Sequence, residues 1–150
     1  MILAEDKLKE IILAQNLIDE KGWQSLLEFS KNSDISPTDA LIEKDIISDE
    51  KLGQLIAENL KLPFITLTKI SIPDEVIHIL PEKIARKQKV IPFARDEYGI
   101  KLAMVDPGNT QIQEMIAKKT KEKIIPYLAT ERDIFNSFHI YRKELQKTYE

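Results

Sequence analysis

Apolar residues recur at helical spacing through roughly the first sixty residues of the chain. Three of the predicted helices begin at residue types that cap helices, namely Asp19, Ser36 and Ser48. Pro37 follows Ser36 and suits the first helical position, because its N–H is not needed there. The pattern predicts four helices within residues 1–61. The residues expected to face inward are Leu8, Ile11, Ile12, Trp23, Leu26, Leu27, Ala40, Leu41, Leu52, Leu55 and Ile56.

These helices form two copies of one pattern, 29 residues apart. The cap Asp19 corresponds to Ser48, and Trp23 corresponds to Leu52. Every matched position is a cap or an apolar residue, as expected of a duplicated helical hairpin that buries one shared core. The alternative is two similar amphipathic hairpins that arose by chance. The other matched pairs are Ile12 and Leu41, Leu17 and Ile46, Ile18 and Ile47, Leu26 and Leu55, and Leu27 and Ile56.

The pattern changes at Leu62-Pro63, after which short strand-like runs alternate with helical ones. Residues 89–96, 100–106 and 123–129 read as strands, and "PFITL" at 63–67 reads as a further β-rich run. Both alternating sets of positions in 100–105 are mostly apolar, which predicts a central strand covered on both faces. Pro126 indicates an edge or a bulge. We therefore predict an α+β subdomain over residues 62–144 with a three- or four-stranded sheet, and the start of a linker over 145–150.

Two longer helices are predicted in this second part. One begins at Asn109, with Ile112, Met115 and Ile116 on its inner face. The other begins at the cap Thr130, with acids in its first turn. The residues expected on the inner face of this last helix are Ile134, Phe138, Tyr141 and Leu145.

Composition excludes several classes of function. The chain has 150 residues, 43 % of them hydrophobic, and its net charge is −3. That balance argues against a general nucleic-acid-binding protein, which would carry a basic excess. Cysteine is absent, so disulfides, thiolate metal sites and cysteine nucleophiles are excluded. No stretch approaches the ~20 apolar residues of a membrane-spanning helix.

No motif for catalysis is present. The four glycines are isolated, whereas a phosphate-binding loop needs several of them close together. His78 and His139 are far apart in sequence and read as ordinary helix residues. Asp106, at the end of the central strand, either does chemistry or turns a corner, and the turn is favoured because no base or nucleophile accompanies it. We assign no catalytic, cofactor-binding or metal-binding residues.

Two other features have both a structural and a functional interpretation. Trp23 is the only tryptophan, and its match to Leu52 favours a core position over an interface anchor. A small basic set follows Pro81 and is diluted by Glu82 and the downstream acids. It is interpreted as a solvated face, with an acidic partner surface as the alternative. Its members are Lys83, Arg86, Lys87 and Lys89.

Residues 72–142 resemble the N-terminal domain of type II secretion and type IV pilus assembly ATPases. The family pattern has a proline-led helix, a strand that ends in Asp-Pro, a second helix, and a closing segment that ends near a tyrosine. The matching residues here are Pro81, Ala85, Val90, Ile91, Pro92, Leu102, Ala103, Met104, Asp106, Pro107, Asn109, Ile125, Pro126, Tyr127, Leu128, Ala129, Ile134, Phe138 and Tyr141.

The first part resembles the helical repeat that precedes this domain and that binds cyclic di-GMP in some members. The binding pattern carries Arg-Leu-Gly and a later Gly in each copy, and ends near a Gln. Because those glycines and both arginines are replaced here, the resemblance implies that the fold is kept and that cyclic di-GMP binding is lost or very weak. The replacements are Lys7, Lys9, Asn16 and Ser30 in copy one, and Ser36, Pro37, Thr38, Asp45 and Asn59 in copy two.

The resemblance implies a non-catalytic docking or regulatory module, with the ATPase motor, its ATP and its Mg²⁺ beyond residue 150. The expected partners are an inner-membrane platform protein and the parent's own ATPase domain, at the cytoplasmic face of a bacterial inner membrane. A cyclic di-nucleotide sensor is the alternative function, and a small enzyme has the least support. The resemblance leaves open whether the machine is for secretion or for pili.

Overall fold

The computed structural model of the chain describes residues 3–142. The chain divides into two compact units, and the boundary between them falls between Asn59 and Leu60. The sequence places that boundary slightly later, between residues 61 and 62. The linker predicted over residues 145–150 and the inward position predicted for Leu145 lie outside the described residues.

The helical unit has the four predicted helices. Asp19 accepts a hydrogen bond from the N–H of Gly22 at 2.7 Å, and Ser48 accepts one from Lys51 at 3.1 Å. Each bond satisfies one of the donors that a helix start leaves without an intrahelical acceptor. The two caps therefore act in the same way at matched positions of the repeat. The helices are α1 (Glu5–Ala14), α2 (Glu20–Asn32), α3 (Pro37–Glu43) and α4 (Asp49–Leu60).

The interior of this unit follows the duplicated pattern. Trp23 is 1 % exposed and its repeat mate Leu52 is 3 % exposed, which confirms the core position predicted for the tryptophan. Ile12 and Leu41, a second matched pair, are fully buried. Each leucine or isoleucine buried in this way stabilises the fold by about 1.5–3 kcal/mol relative to an exposed position. The repeat therefore preserves these packing positions. The matched pair of Leu17 and Ile46 is an exception, because Leu17 is 41 % exposed.

The α+β unit is built on a three-stranded sheet of order β1-β2-β3. The strands are β1 (Val90–Asp96), β2 (Gly99–Met104) and β3 (Ile124–Leu128). β1 and β2 are antiparallel, whereas β2 and β3 are parallel, so β2 is central as predicted. β3 lies at the edge of these three strands, which is one of the two positions that Pro126 indicated. The bulge of the sheet is in β1, between Pro92 and Ala94.

The run at residues 63–67 is not a strand of the sheet. Phe64 forms one isolated parallel bridge with Leu128, in which Leu128 donates to Pro63 at 2.8 Å and Ile65 donates to Leu128 at 3.1 Å. A 3₁₀ turn then begins at Leu67 and ends the extended path. Asp133 accepts from the backbone of that turn, so the segment is diverted by a contact from a distant helix.

Helices and turns pack on the sheet. The sequence of the proline-led run at residues 72–80 predicts a helix, but the structure has only a single helical turn there. Ile112 and Ile116 are buried on α7 as predicted, and so are Ile134, Phe138 and Tyr141 near the end of the chain. The elements are α5 (Asp74–Ile77), α6 (Glu82–Gln88), α7 (Thr110–Thr120), α8 (Glu131–Ser137), and 3₁₀ helices at Leu67–Lys69 and Phe138–Arg142.

The inward position predicted for Met115 is wrong. Met115 is 43 % exposed, and Gln113 is the half-buried residue beside Ile112 and Ile116. The amide of Gln113 donates to the backbone oxygen of Pro107 at 2.9 Å and lies 3.4 Å from the sulfur of Met104. This hydrogen bond offsets the cost of partly burying an amide, so Gln113 lies beside the core and Met115 is left exposed.

Gly99 is required by a close approach of two strands. Its φ is 136°, a conformation that side chains rarely adopt, and an added Cβ would lie 2.2 Å from the backbone oxygen of Lys123. That same oxygen accepts a hydrogen bond from Ile100 at 2.8 Å, which begins the pairing of β2 with β3. A side chain at position 99 would push the two strands apart.

We expect Gly99→Ala to lower the free energy of unfolding by about 2 kcal/mol or more, because both the backbone conformation and the contact become unfavourable. Urea unfolding followed by circular dichroism measures this. Gly108→Ala is the matched control, since an added Cβ there meets only the side-chain oxygen of Asp106 at 3.2 Å. Equal destabilisation by the two changes would contradict the proposed role of Gly99.

Candidate functional site

The segment from Asp106 to Asn109 forms a tight corner after β2. The carboxylate of Asp106 accepts from the N–H of Gly108 at 3.0 Å, and its backbone oxygen accepts from Asn109 at 3.1 Å. Asn109 caps α7 by accepting from Ile112 at 3.4 Å, and its amide donates to Gln88 at 3.1 Å. Asp106, the candidate for a chemical role, and Asn109 therefore both stabilise the backbone of the turn.

The other candidate titratable groups also have structural partners. The backbone N–H of Tyr98, and secondarily Lys101, lower the pKa of the Asp96 carboxyl, which accepts from Tyr98 at 2.8 Å. Both His78 and His139 are exposed, and each lies 2.8 Å from a backbone oxygen of its own helical segment. Within residues 3–142, no three histidine, aspartate or glutamate side chains are grouped so that they could hold a metal ion.

Asp133 has a role that sequence reasoning missed. It is buried, and it accepts hydrogen bonds from the backbone N–H groups of Leu67 at 2.6 Å and Thr68 at 3.2 Å. Its own N–H donates to the cap Thr130 at 3.1 Å. Thr130-x-x-Asp133 resembles a capping box, in which the acid would reach back to its own helix start. Here the carboxylate accepts instead from Leu67 and Thr68, which are distant in sequence.

The repeat positions matched to the cyclic di-GMP motif give the most informative geometry of the helical unit. Asn16 and Asp45, which stand where the motif has its later glycine, have φ values of 58° and 56°. This left-handed conformation favours glycine, and Asn and Asp are the side chains that tolerate it best. Both turns therefore keep the conformation that glycine favours, as expected if the fold is kept although the glycines are replaced.

The remaining motif positions differ in side-chain chemistry. Lys9, at the place of the first glycine, forms an ion pair with Glu20 at 2.5 Å, and this hydrogen bond lowers the pKa of Glu20. In copy two, Ser36 replaces the arginine and caps α3 through the N–H of Asp39 at 3.1 Å. Ser30 is buried and donates to the backbone oxygen of Ile35. These side chains serve the helical fold.

The basic set of the second unit lies on one short element. Lys83, Arg86 and Lys87 are on α6, and Lys89 follows it directly; all four are exposed. Sequence reasoning missed Arg142, which forms an ion pair with Glu82 of the same helix at 3.2 Å. The sequence could indicate only the ion pair of Glu82 with Arg86, because these residues are four positions apart on one helix. Arg142 is distant in sequence, at the far end of the unit.

Comparison with protein-family models matches residues 60–145 to the MshEN domain. The chain belongs to the MshEN domain family. The match covers the whole α+β unit that the structure describes, including the Asp106 corner, the buried Asp133 and the basic helix α6. The corner is thus a structural feature of this family member.

The curated relatives are type IV pilus assembly ATPases named PilB. The protein of Thermus thermophilus is 26 % identical over 132 residues, which is 87 % of this chain and 15 % of that protein. The protein of Myxococcus xanthus is 24 % identical over 138 residues, which is 92 % of this chain and 24 % of that protein. The chain therefore spans less than a quarter of either relative, and it corresponds to the non-catalytic MshEN part of such ATPases.

Solved structures share the fold. A structure of MshE with cyclic di-GMP superimposes with a TM-score of 0.67 at 24 % identity, covering 89 % of this chain and 97 % of that one. A structure of the N-terminal domain of XpsE gives a TM-score of 0.59 at 14 % identity, covering 90 % and 93 %. These matches confirm the predicted α+β fold and the predicted resemblance to secretion and pilus ATPases.

The MshE structure with cyclic di-GMP conflicts with the expectation that binding of this ligand is lost or very weak. That expectation depended on the replaced glycines, on the replaced arginines and on the charge of Asp45. Of these grounds, the backbone conformation of glycine is kept in the turns at Asn16 and Asp45. Among the described helices, none is long and apolar enough to cross a membrane.

We expect Asp133→Asn to lower the free energy of unfolding by about 1–3 kcal/mol, because an amide nitrogen would face either the buried N–H of Leu67 or the partly buried N–H of Thr68. Urea unfolding measures the change. Asp106→Asn is the matched control: its acceptor oxygen can still take the N–H of Gly108 at an exposed corner, so the urea midpoint should stay close to that of the parent chain. A larger effect at position 106 would contradict both assignments.

Proposed function

We propose that this chain is the docking and regulatory module of a secretion or pilus motor ATPase, and that it binds the cytoplasmic part of an inner-membrane platform protein. Membership of the MshEN family is the observation that carries the proposal. The relatives that cover most of this chain are pilus assembly ATPases of much greater length. In such a protein a small folded module can connect a motor to its fixed partner.

The chemistry of the described residues supports binding rather than catalysis. Asp106, Asp133 and Asp96 accept hydrogen bonds from backbone N–H groups, so they hold turns and segments. A general acid or base would need to reach a substrate with a pKa adapted to proton transfer. The proposal places the chain at the cytoplasmic face of the inner membrane, attached through its partner and joined to the parent's ATPase motor.

We expect a parent ATPase that contains this chain to be retained by beads carrying the cytoplasmic part of its platform protein. Deletion of residues 1–150 should abolish retention, because the proposed docking surface is removed. A variant of the parent without ATP hydrolysis is the control and should still be retained. Equal retention with and without residues 1–150 would overturn the proposal.

Cyclic di-GMP binding by the helical unit is the second candidate function. Two observations favour it: the left-handed turns at Asn16 and Asp45, and the MshE structure with this ligand. The carboxylate of Asp45 is the main obstacle, because it would lie near an anionic ligand at a position where the motif has glycine. The helical unit would then be a sensor in which ligand affinity is reduced by charge.

We expect Asp45→Gly to strengthen cyclic di-GMP binding several-fold in calorimetric titrations, because it removes a negative charge and keeps the turn. Asp34→Gly is the matched control. Asp34 is also left-handed, with φ 54°, but it lies outside the motif positions, so its removal should leave the affinity unchanged. No saturable heat with the parent chain or with either variant would exclude the sensor function.

A further inference from the structure

Two arginines share one carboxylate at the start of α6. The Nε atom of Arg86 lies 2.7 Å from Oε2 of Glu82, and Nη2 of Arg142 lies 3.2 Å from the same oxygen. Arg86 is one helical turn from Glu82, whereas Arg142 is at the end of the second 3₁₀ helix. The side chain of Glu82 is only 25 % exposed, so this carboxylate is a partly sheltered anchor for two guanidinium groups.

Aromatic side chains hold this arrangement in place. The guanidinium of Arg86 lies over the ring of Phe138, 4.6 Å from its centre, and Phe138 is buried. Tyr141 donates to the backbone oxygen of Leu80 at 2.9 Å. Burial, and secondarily Glu82, raise the pKa of the Tyr141 phenol, so the donor stays protonated. Arg86 is therefore oriented by Glu82 and Phe138 before any ligand arrives, and Arg142 is held by Glu82.

Most guanidinium donors of this pair remain available. A guanidinium has five N–H groups, and Glu82 takes the Nε–H of Arg86 through one oxygen. Within residues 3–142, the Nη groups of Arg86 make no hydrogen bond, and its side chain is 40 % exposed. The Nη edge of a guanidinium fits a carboxylate with two parallel hydrogen bonds. The pair thus presents preformed N–H donors for one further anion.

The surface around the pair is positive. Lys83 and Lys87 are exposed on α6, and neither makes an ion pair within the described part of the chain. Lys89 is neutralised by Glu131. The chain as a whole has a net charge of −3, so positive charge is concentrated here against the overall balance. Concentrated charge of this kind guides and selects partners of opposite sign.

We propose that these residues form a binding site for the carboxylates of an acidic segment of a partner protein. We name the site the α6 basic face and define it as Lys83, Arg86, Lys87 and Arg142. In the site, a partner carboxylate accepts from the Nη groups of Arg86, and neighbouring carboxylates interact with Arg142 and the two lysines. Glu82 and Phe138 position the arginines and do not contact the partner.

The surroundings favour a protein segment over a membrane surface. A helix that binds lipid headgroups exposes large apolar side chains beside its basic ones. On α6 the apolar residues Ile84 and Ala85 pack into the core of the unit instead. The exposed large apolar side chains of the described residues all lie on other elements: Leu17, Ile70, Tyr98, Met115 and Phe135.

The test uses the 150-residue chain and a short fluorescent peptide of glutamate and glycine, with a glutamine-for-glutamate peptide as the uncharged probe. We expect anisotropy titrations to give saturable binding of the acidic peptide alone, weakened as salt rises from about 50 to about 200 mM. Arg86→Gln with Arg142→Gln should weaken binding by about tenfold or more. Arg86→Lys, which keeps charge but loses the planar fork, should also lose most of the affinity.

Lys118→Gln with Lys121→Gln is the matched control, because it removes the same charge from α7 and the residue after it. It should change the affinity by less than about twofold. An equal loss in this control would show non-specific attraction and overturn the proposal. Equally tight, arginine-dependent binding to vesicles of anionic lipid would overturn it in favour of a membrane site.

This experiment is independent of the proposed docking function, because it needs no platform protein. Circular dichroism and urea unfolding of each variant establish that loss of binding does not come from loss of fold. Peptide binding together with failed retention on platform beads would overturn only the platform partner. If the parent ATPase is retained on those beads but the chain does not bind the peptide, only the α6 basic face is overturned. The same conclusion follows if the Arg86→Gln, Arg142→Gln variant is retained as fully as the parent.

Discussion

The α+β unit depends on the burial of almost all of one strand. Ile100, Leu102, Ala103 and Met104 of β2 are all fully buried, so helices and loops must cover both faces of the sheet. Lys101 is the one half-buried residue of β2, and its ammonium lies 3.5 Å from the carboxylate of Asp96. The strand therefore offers little exposed surface for reactive side chains, and further polar groups lie where it ends. The carboxylate of Asp106 is therefore exposed at the first residues past β2, where it stabilises the turn into α7.

The same constraint explains how the polar groups of this unit are used. Backbone N–H groups near a buried sheet need acceptors, and each one left without an acceptor costs about 1–3 kcal/mol. Asp133 provides acceptors for Leu67 and Thr68, and Gln113 provides a donor for Pro107. The result is a unit in which these polar groups are paired internally, while the lysines and arginines of α6 lie exposed on its surface.

Sequence reasoning predicted the features that depend on local pattern. The caps Asp19, Ser48 and Thr130, the repeat of Trp23 and Leu52, and the central strand follow from spacing and residue type alone. The features it missed depend on residues distant in sequence. Gln113 replaces Met115 on the inner face because the backbone oxygen of Pro107 accepts its hydrogen bond. The segment after Phe64 leaves the sheet where Asp133 accepts hydrogen bonds from Leu67 and Thr68. Arg142 reaches Glu82 from 60 residues away, a contact that no local pattern could indicate.

The two repeat turns show why a motif in sequence and a site in structure differ. Asn16 and Asp45 lack the glycine of the family pattern and keep its backbone conformation, because their side chains tolerate positive φ at modest cost. Replacement of the glycine therefore kept the turn and changed the side chain that the turn presents. Asn16 adds a neutral amide and Asp45 adds a negative charge, so the two copies of the repeat differ in the electrostatics that an anionic ligand would meet. Backbone conformation and side-chain chemistry can thus change independently at one position. At these two turns the helical unit differs from the nucleotide-binding pattern in its side chains, and at Asp45 also in charge.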